Sequence, residues 1–391
     1  MKEIRIGIFG GDRGISFFEV INNTPGFKVV AIADGRESTR EDVKKVVGDA
    51  TVVCETYEEM VEVGMDAVVL ANYFHEHAKY AIRAMEAGID VISETTAAPT
   101  LGECLDLVEC CERTGRKYML AANCPTMVGP EELMRVYQSG ELGQVLYAEA
   151  EYLHTTHTLD PEKLEAARKN ASPRPTHHWR NFLPGCYYNM HSLGVLMAAT
   201  KTLPVRVTAM DVYSTRNSVG EETGKNRRVA GIGLYEMDNG AVFRSTGCCS
   251  MGPSGKWYRL TCDKGTIETL RPHQGRVLLR KIGAGITEYD PANQYTEEEL
   301  KSGHGGADAR ICRQITDYLS GKVDEPIFDI YRGVALSLAG IYGHYSVLEG
   351  KAFDIPDIRD KEAREVLRGD YRTPFADENG NKTLPSARYE M

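Results

Sequence analysis

The stretch IRIGIFGGDRGISFFEVIN, residues 4–22, decides how the first part of the chain folds. Ile4–Phe9 is an apolar run that predicts a buried strand, and Gly14–Asn22 carries apolar residues at the spacing of a helix. The glycines of GGDRG, residues 10–14, lie between them. A strand, a glycine turn and a helix in this order are typical of a dinucleotide-binding unit.

Each glycine of the turn has an expected role. Gly10 lies where the backbone turns tightly, Gly11 would let the backbone approach a pyrophosphate, and Gly14 would allow close packing of helix on strand. Asp12 and Arg13 lie between them and complete the expected cofactor-binding turn. The turn is shorter than G-x-G-x-x-G, and an acidic Asp12 is an unusual neighbour for a phosphate. The alternative is an ordinary turn of an α/β protein.

The second predicted strand, Phe27–Ala33, ends at Asp34. A carboxylate at this place can accept hydrogen bonds from both ribose hydroxyls, and it would repel the 2′-phosphate of NADP. The sequence therefore predicts NAD as the cofactor, with NADP disfavoured, although the nearby Arg36 weakens this preference. The alternative for Asp34 is a surface residue.

The composition is that of an ordinary globular protein. Of 391 residues, 42% are hydrophobic and 26% are charged, which argues against extended disorder. The net charge of −10 argues against nucleic acid or an anionic membrane as a partner. Lys2, Glu3 and Arg5 are unlike a signal peptide, and no apolar run approaches the roughly 18 residues of a membrane span. Ten cysteines without a C-x-x-C pair predict free thiols in a reducing cytoplasm.

Strands and helices alternate through the first third of the chain. Further strands are predicted at Ala67–Leu70, Asp90–Ser93 and Tyr118–Ala121, and helices at His77–Ala87 and Gly102–Arg113. This alternation predicts a parallel sheet covered by helices on both faces.

After about residue 124 the predicted strands follow one another without helices between them. They are Val145–Leu153, Val205–Tyr213, Val229–Glu236, Ala241–Thr246, Tyr258–Cys262 and Arg276–Arg280. Turn residues separate these runs, which predicts an antiparallel sheet. Helices are predicted at Ala307–Leu319 and Tyr331–Leu348, and the charged tail from Asp357 predicts a surface arm.

Four stretches make the chain resemble a known family. They are DAVVLANYFHEHAKYAIRAMEAGIDVISE (66–94), SGELGQVLYAEAEYLH (139–154), GHGGADARICRQITDYLSGK (303–322) and GKAFDIPDI (350–358). Together they resemble the glucose–fructose oxidoreductase / inositol dehydrogenase (Gfo/Idh/MocA) family. The resemblance implies an α/β fold: an N-terminal Rossmann domain that binds NAD(P), and a C-terminal α/β domain with an open, mostly antiparallel sheet that is often used for oligomer contacts.

This resemblance divides the chain into three parts. We expect a Rossmann dinucleotide-binding domain at 1–123, a substrate-binding and oligomerisation α+β domain at 124–356, and a C-terminal arm at 357–391. We also expect a homodimer or homotetramer, because an exposed sheet face invites a second copy.

The chain departs from the family where the fifth strand ends. The family commonly has Glu-Lys-Pro there, with the lysine near the nicotinamide, whereas this chain has Glu94-Thr95-Thr96. Threonine cannot serve as a charged acid or base. The NAD-dependent glycosidase branch, the α-N-acetylgalactosaminidase-like enzymes, also lacks the lysine. That branch is resembled by SETTAAPTLGECLDLVE (93–109), MLAANC (119–124) and YYNMHSLG (187–194).

The resemblance to this branch implies two candidate catalytic residues. Its Tyr-x-x-His-x-Leu-Gly motif is matched by Tyr188 and His191, with Asn189-Met190 in place of the usual Pro-Thr. His191 matches an active-site histidine, and Tyr188 could donate to a sugar oxygen or act as an acid or base. Both are expected to bind substrate. The alternatives are a buried structural histidine and a core tyrosine.

Three further residues are candidates for the substrate site. Glu149 matches a catalytic glutamate of the branch, and the alternative is a solvated strand residue. His304 begins a His-Gly-Gly loop expected to face the pocket, as a catalytic and substrate-binding residue; the alternative is a turn that leads into a helix. Arg180 could bind substrate hydroxyls or a carboxylate, and the alternative is a surface salt bridge.

The remaining candidates belong to the cofactor. His75 and His77 follow the fourth strand near the expected nicotinamide end, where we expect them to line the cofactor pocket. The resemblance adds Glu94, Thr95 and Asn123 to the cofactor-binding residues. No metal is predicted, because no carboxylate completes a ligand set for histidines 154, 157, 177 and 178.

Together these features predict an NAD-dependent oxidoreductase that transfers a hydride at a hydroxyl-bearing carbon of a small sugar, polyol or glycoside. One alternative is a redox-neutral glycoside hydrolase or lyase, in which oxidation, elimination, hydration and re-reduction recycle the NAD. A second alternative is a non-catalytic NAD-binding protein. The absence of the lysine and the Tyr-x-x-His motif favour redox-neutral cleavage, whereas the frequency of dehydrogenases in the family favours simple oxidation.

Overall fold

The computed structural model describes residues 3–154, 178–179, 182–216, 222–248, 254–271, 275–377 and 379–389. Its helices are α1 Gly11–Asn22, α2 Glu37–Val47, α3 Tyr57–Glu62, α4 His77–Glu86, α5 Leu101–Thr114, α6 Val128–Gln138, α7 Leu193–Thr200, α8 Ala307–Leu319 and α9 Ile330–Glu349. Its strands are β1 Ile4–Phe9, β2 Phe27–Ala33, β3 Val52–Cys54, β4 Ala67–Leu70, β5 Asp90–Ser93, β6 Tyr118–Leu120, β7 Val145–Leu153, β8 Pro204–Arg216, β9 Glu222–Met237, β10 Val242–Cys248, β11 Gly255–Cys262, β12 Gly265–Thr269, β13 Val277–Lys281, β14 Gly285–Tyr289 and β15 Phe353–Asp354.

The first sheet is six-stranded and parallel, with the order β3-β2-β1-β4-β5-β6. Its strands are short apolar runs without alternation, and Val68, Val69 and Leu70 of β4 are fully buried, as expected for strands covered on both faces. This strand order is that of the Rossmann fold. In that fold the order in which successive strands are added to the sheet reverses between β1 and β4. The predicted α/β fold with an N-terminal Rossmann domain is confirmed.

The glycine turn is tighter than the sequence suggested. Helix α1 begins at Gly11 rather than at Gly14, so that Gly10 alone connects β1 to the helix. Gly10 has a φ of 99°, and a Cβ there would lie within 3.0 Å of backbone atoms of Ala71 and Asn72 at the end of β4. Only glycine combines that left-handed conformation with that close approach.

The other two glycines make room for packing. A Cβ on Gly14 would overlap the side chain of Ile8, so its absence lets α1 lie directly on β1. A Cβ on Gly11 would lie 2.9 Å from the side chain of Val43 in α2. Gly11, expected to make space for a pyrophosphate, therefore also makes space for a neighbouring helix.

The second sheet has the order β14-β13-β12-β11-β7-β10-β9-β8-β15. The pair β7–β10 is parallel, and the other neighbouring pairs are antiparallel. The predicted open, mostly antiparallel sheet is confirmed. The expectation that no helices interrupt these strands is wrong, because α7 lies between β7 and β8 in the chain. The sequence of α7, LGVLMAAT, is apolar and buried throughout, so it shows no amphipathic period by which to recognise a helix.

The chain forms two compact units. The first comprises residues 1–126, 295–334 and 358–370, and the second comprises the intervening stretches and the residues after 370. Helix α8, which sequence order places after the second sheet, packs on α1 in the core of the first unit through Ile311, Cys312 and Ile315. The boundaries predicted at 123 and 356 differ from this division because later segments return to the first unit. Within the described residues, no helix combines the length and the apolar character needed to cross a bilayer.

The turn at Gly10 provides a test of this fold. We expect Gly10→Ala to lower the free energy of unfolding by about 2 to 4 kcal/mol, because the new methyl group meets backbone atoms that cannot move aside and the left-handed φ is unfavourable for alanine. Urea unfolding monitored by circular dichroism measures the change. Gly35→Ala is the matched control, since a Cβ at Gly35 meets nothing within 4 Å. Equal stability of the two variants would contradict the assigned turn.

Candidate active site

The candidate site in the first unit lies at the carboxyl ends of the parallel strands. Gly10 follows β1, Asp34 follows β2, Asn72 follows β4, Glu94 follows β5, and Asn123 lies shortly after β6. In an open α/β sheet, ligands bind at this edge where the strand order reverses. The fold therefore brings most of the predicted cofactor-binding residues to one edge.

Asp34 holds the glycine turn from the neighbouring strand. The amide of Gly11 donates to its Oδ2 at 2.9 Å, and the amide of Arg36 donates to its Oδ1 at 2.9 Å. The carboxylate is nearly buried, with 8% of the residue exposed. Each oxygen can accept more than one hydrogen bond, so Asp34 can hold the turn and still accept ribose hydroxyls.

Asp12 lies at the outer side of the same turn. Its Oδ2 is 3.0 Å from Nη2 of Arg36, and Nε of Arg36 is 3.5 Å from Oδ1 of Asp34. The guanidinium of Arg36 is thus bracketed by two carboxylates. The predicted cofactor contact of Asp12 becomes, in this structure, an ion pair that holds an arginine beside Asp34.

Two buried amide oxygens fit a nicotinamide nucleotide at this edge. Oδ1 of Asn72 and Oδ1 of Asn123 have no hydrogen-bond partner within the described part of the chain. Buried polar atoms are normally satisfied, and a nucleotide supplies hydroxyl and amide donors. With the close turn at Gly10 and the carboxylate of Asp34, these oxygens form a donor and acceptor set that fits NAD(P).

Arg13 occupies a different place from the one its sequence position suggested. Its Nε donates to Oε1 of Glu94 at 2.8 Å, and Nη1 and Nη2 donate to the two oxygens of Asp308 at 2.8 and 3.0 Å. Nη1 also donates to Ser16, and the guanidinium lies 4.5 Å from the ring centre of Phe17. Four of its five N–H bonds are therefore used within the protein. Arg13 connects the glycine turn to Glu94 and Asp308 instead of presenting a free guanidinium to phosphate.

Thr95 takes the place of the family's lysine and has an unusual backbone. Its φ is 32°, in the left-handed region that β-branched residues rarely adopt. Its hydroxyl donates to the carboxylate of Glu94. The carboxylate of Glu94 thus accepts from Thr95 at the end of β5 and also pairs with Arg13.

The two histidines after β4 differ in their surroundings. His77 is 1% exposed; its Nδ1 lies 3.2 Å from Oγ of Ser93 and its Nε2 lies 3.3 Å from the carbonyl oxygen of Asn72. Burial lowers its pKa below the ordinary value and keeps the ring neutral. His77 therefore supports the ends of two strands rather than lining an open pocket. His75 is half-buried, and its ring stacks on Tyr73 at 6.2 Å.

His304 lies in the first unit, just before α8. Its Nδ1 is 3.0 Å from both carboxylate oxygens of Asp308, and its φ of 55° is again left-handed. Its side chain is 42% exposed, whereas that of Asp308 is fully buried. Sequence reasoning missed Asp308, although the i, i+4 spacing of His304 and Asp308 at a helix start was a usable signal.

His191 and Tyr188 form an aromatic cluster in the second unit. The ring of His191 stacks on Tyr152 at 4.5 Å and meets Tyr188 edge to face at 4.8 Å. The hydroxyl of Tyr258 donates to the carbonyl oxygen of His191 at 2.8 Å. Trp179 lies 6.2 Å from Tyr188. The structure therefore brings the two motif residues together and adds Tyr152 and Tyr258, which the sequence did not single out.

Glu149, predicted as a catalytic residue, lies outside this cluster. Side chains alternate along β7, so that Tyr152 faces His191 while Glu149 faces the other side of the sheet. There it accepts from Arg244 at 2.9 Å and from the hydroxyl of Tyr147 at 2.9 Å. Partial burial alone would raise its pKa, but these hydrogen bonds hold the pKa below its usual value. Glu149 is an ionised member of a surface network. The predicted Arg180 lies outside the described residues.

Comparison with known proteins agrees with this geometry. Residues 4–122 match the sequence profile of the Gfo/Idh/MocA family, described as "Oxidoreductase family, NAD-binding Rossmann fold". Residues 4–122 thus resemble the nucleotide-binding domain of that family. The match ends near the end of β6, so it covers this domain and not the second sheet.

Three relatives of this chain carry names of the glycosidase branch. Over 206 residues, which are 50% of this chain, the chain is 31% identical to a glycosyl hydrolase family 109 protein of Shewanella amazonensis, and the match covers 44% of that protein. Over 206 residues, again 50% of this chain, it is 29% identical to the α-N-acetylgalactosaminidase of Shewanella oneidensis, and the match covers 43% of that protein. The chain thus matches less than half the length of these two relatives. A glycosyl hydrolase family 109 protein of Saccharopolyspora erythraea is 24% identical over 95% of this chain and 85% of its own. The resemblance to this branch is confirmed.

Solved structures support the fold of the whole chain. A levoglucosan dehydrogenase in complex with NADH and L-sorbose superposes with a TM-score of 0.73 at 15% identity, over 91% of this chain and 100% of its own. At this identity the likeness establishes the two-domain fold alone.

The buried His77 leads to a pH-dependent prediction. Because its native pKa lies below the ordinary value of 6.5, the unfolded chain binds the proton first on acidification, and stability falls as the pH drops below about 6.5. We expect His77→Gln to reduce this slope by up to about 1.4 kcal/mol per pH unit. Urea unfolding between about pH 7 and pH 5 measures it. Lys79→Gln, an exposed change on the same helix, should keep the wild-type slope; equal slopes for all three proteins would refute the assignment.

Proposed function

We propose that this protein is an NAD-dependent oxidoreductase that transfers a hydride at a hydroxyl-bearing carbon of a sugar, polyol or glycoside. The observation that carries the proposal is the hydrogen bond from the Gly11 amide to Asp34 at the point where the parallel sheet reverses its strand order. It joins the glycine turn, the helix start and the ribose-binding carboxylate in one arrangement.

NAD is favoured over NADP by charge. A 2′-phosphate would meet the carboxylates of Asp34 and Asp12. Arg36, a cationic side chain beside Asp34 that could neutralise it, is held between these two carboxylates. NADP binding would require that arginine to leave both partners.

The chain's residues have distinct parts in this proposal. Asp34 and the α1 N-terminus hold the nucleotide, and the amide oxygens of Asn72 and Asn123 are satisfied by it. Bound NAD supplies a hydride acceptor. His191 and Tyr188 supply proton-transfer and hydrogen-bonding groups, because an imidazole and a phenol are suited to hold and move a hydroxyl proton. The rings of Tyr152, Tyr188 and Trp179 pack against one another beside His191 and hold these groups in place.

Redox-neutral glycoside cleavage with recycled NAD is the second candidate. It is favoured by Thr95, which leaves the end of β5 without the lysine of the dehydrogenases, and by the names of the glycosyl hydrolase family 109 relatives. The dehydrogenase neighbours of similar fold leave simple oxidation as the first candidate.

Nucleotide content of the purified protein tests both candidates. The protein is purified without added cofactor and denatured, and the released nucleotide is identified by mass spectrometry. Stoichiometric NAD(H) that does not exchange indicates redox-neutral cleavage, to be screened with aryl glycosides. An empty protein that binds NAD⁺ reversibly indicates a dehydrogenase, to be screened with free sugars and polyols by NADH absorbance. His191→Ala is the catalytic control. A protein that neither retains nor binds NAD or NADP refutes the proposal.

We also propose a homo-oligomer and a cytoplasmic location. Met210 and Leu234 are 77% and 45% exposed on neighbouring strands of the second sheet, which supports a homodimer or homotetramer. Light scattering of the purified protein measures the assembly. Free thiols are found at cysteines 54, 104, 110, 111, 186, 262 and 312, which supports a reducing, cytoplasmic location; fractionation of the native cells tests it.

Cofactor choice provides a mutational prediction. We expect Asp34→Ser to weaken NAD⁺ binding by roughly 10- to 100-fold, because hydrogen bonds to a charged group are lost, and to strengthen NADP⁺ binding as Arg36 is released from one carboxylate. Isothermal titration calorimetry with both nucleotides measures the change. Asp42→Ser removes an exposed carboxylate of α2 that pairs with Lys45, and it should leave both affinities unchanged. An unchanged NAD⁺ affinity in Asp34→Ser would exclude Asp34 from the site.

A further inference from the structure

Asp308 is a charged side chain of the first unit that is completely buried. It lies in the first turn of α8, its side chain has no exposed surface, and both of its oxygens are shared between Arg13 and His304. Burial alone would raise its pKa, but hydrogen bonds from His304 and Arg13 hold the pKa well below the usual range. Asp308 therefore remains an ionised carboxylate that can only accept hydrogen bonds.

Arg13 prevents the carboxylate of Asp308 from turning. The guanidinium meets both oxygens in a two-point arrangement, with Nη1 at 2.8 Å and Nη2 at 3.0 Å. A bidentate arginine–carboxylate pair fixes the plane of the carboxylate as well as its position. The same guanidinium is anchored by Glu94 on its other side, so the pair cannot shift as a unit without breaking a further ion pair.

The backbone before α8 is shaped to bring His304 to this carboxylate. His304 and Gly305 both have positive φ, at 55° and 67°. A Cβ on Gly303 would overlap Oδ2 of Asp308, so glycine is required there for the close approach. Oγ of Ser302 accepts from the amide of Ala309 at 3.0 Å and closes the loop. A histidine held in a left-handed conformation is costly, and such strain is concentrated at functional sites.

The contact determines which ring nitrogen carries the proton. A carboxylate that only accepts requires a proton on Nδ1 of His304. In the neutral ring Nε2 is then the unprotonated nitrogen, which can accept a proton from a hydroxyl. The His304 side chain is partly exposed, and Nδ1 is the ring nitrogen that faces the buried carboxylate.

We propose that Asp308 is a positioning residue that fixes the tautomer and orientation of His304 and so presents Nε2 of that histidine as a proton acceptor beside the nucleotide turn. The inference rests on the proposed function, because it gives His304 a proton-transfer role in the same reaction. It extends that function by adding a second histidine whose state is set by Asp308 and, through Arg13, by the glycine turn itself.

The decisive measurement is the tautomer of His304 in the whole protein. Two-bond proton–nitrogen correlation spectra of protein with isotope-labelled histidine distinguish Nδ1–H from Nε2–H rings, and His304→Gln identifies the His304 signals by their loss. We expect Nδ1–H in the wild-type protein. We expect Asp308→Asn to convert the ring to Nε2–H, because the one remaining oxygen is retained by Arg13 and the amide nitrogen donates to Nδ1. Asp317→Asn is the control, since Asp317 lies on the same helix and pairs with Lys322.

Turnover on the substrate found by the nucleotide and sugar screens supplies the second readout. We expect His304→Gln and Asp308→Asn each to lower kcat by about 100-fold or more, with KM nearly unchanged, and the double variant to be no slower than either single variant. Multiplied effects in the double variant would show that Asp308 does not act through His304 and would overturn the proposal.

The two proposals fail in different ways. A wild-type protein that binds no NAD(P) refutes the proposed function, while the spectra still decide whether Asp308 orients His304. A wild-type ring with Nε2–H, or a tautomer unchanged in Asp308→Asn, overturns the inference even if NAD binding and turnover are normal. The wild-type spectrum alone shows whether the ring carries its proton on Nδ1 or on Nε2. The test is therefore decisive without an Asp308→Asn variant that folds.

Discussion

The nucleotide side of this structure depends on the close approach of Gly10 to the backbone of Ala71 and Asn72. Strands β1 and β4 are parallel neighbours, so the chain leaving β1 must turn away before it meets the end of β4. Only a residue without a Cβ and with positive φ makes that turn in one step. Helix α1 then starts at once, and its first amide reaches the carboxylate of Asp34. The short turn of this sequence is therefore a compact form of the nucleotide-binding turn, not a broken one.

Buried charge is the second constraint. A guanidinium placed among α1, β5 and α8 loses water, and that loss is offset only by carboxylates in good geometry. Glu94 and Asp308 supply them, and Ser16 and Phe17 complete the surroundings of Arg13. The result links three segments of the first unit: the glycine turn, the end of β5 where Thr95 stands in place of the family's lysine, and the His304 loop. A substitution in any one of these segments therefore alters the ion pairs and hydrogen bonds of the other two.

In the second unit, strand geometry separates residues that look adjacent in sequence. Glu149 and Tyr152 belong to one strand, yet Tyr152 packs on His191 while Glu149 pairs with Arg244 on the opposite face. The catalytic interpretation of Glu149 depended on a family match. The period-two alternation of a strand fixes the face on which each side chain lies, because no local adjustment turns a side chain through a sheet.

The sequence by itself determined the local elements and the class of cofactor. The bounds of β1, β2, β4, β5, β7 and α8 follow from runs of apolar residues and turn residues, because these patterns act over a few neighbouring positions. Helix α7 was missed because an apolar run without a polar face has no period to detect. The tertiary structure alone decided that Arg13 pairs with Asp308, that Gly11 packs on α2, and that Glu149 turns away from His191. These outcomes depend on contacts between residues far apart in the chain and on the face of a sheet, and the free energy that selects them is that of burying charge and excluding overlap in three dimensions.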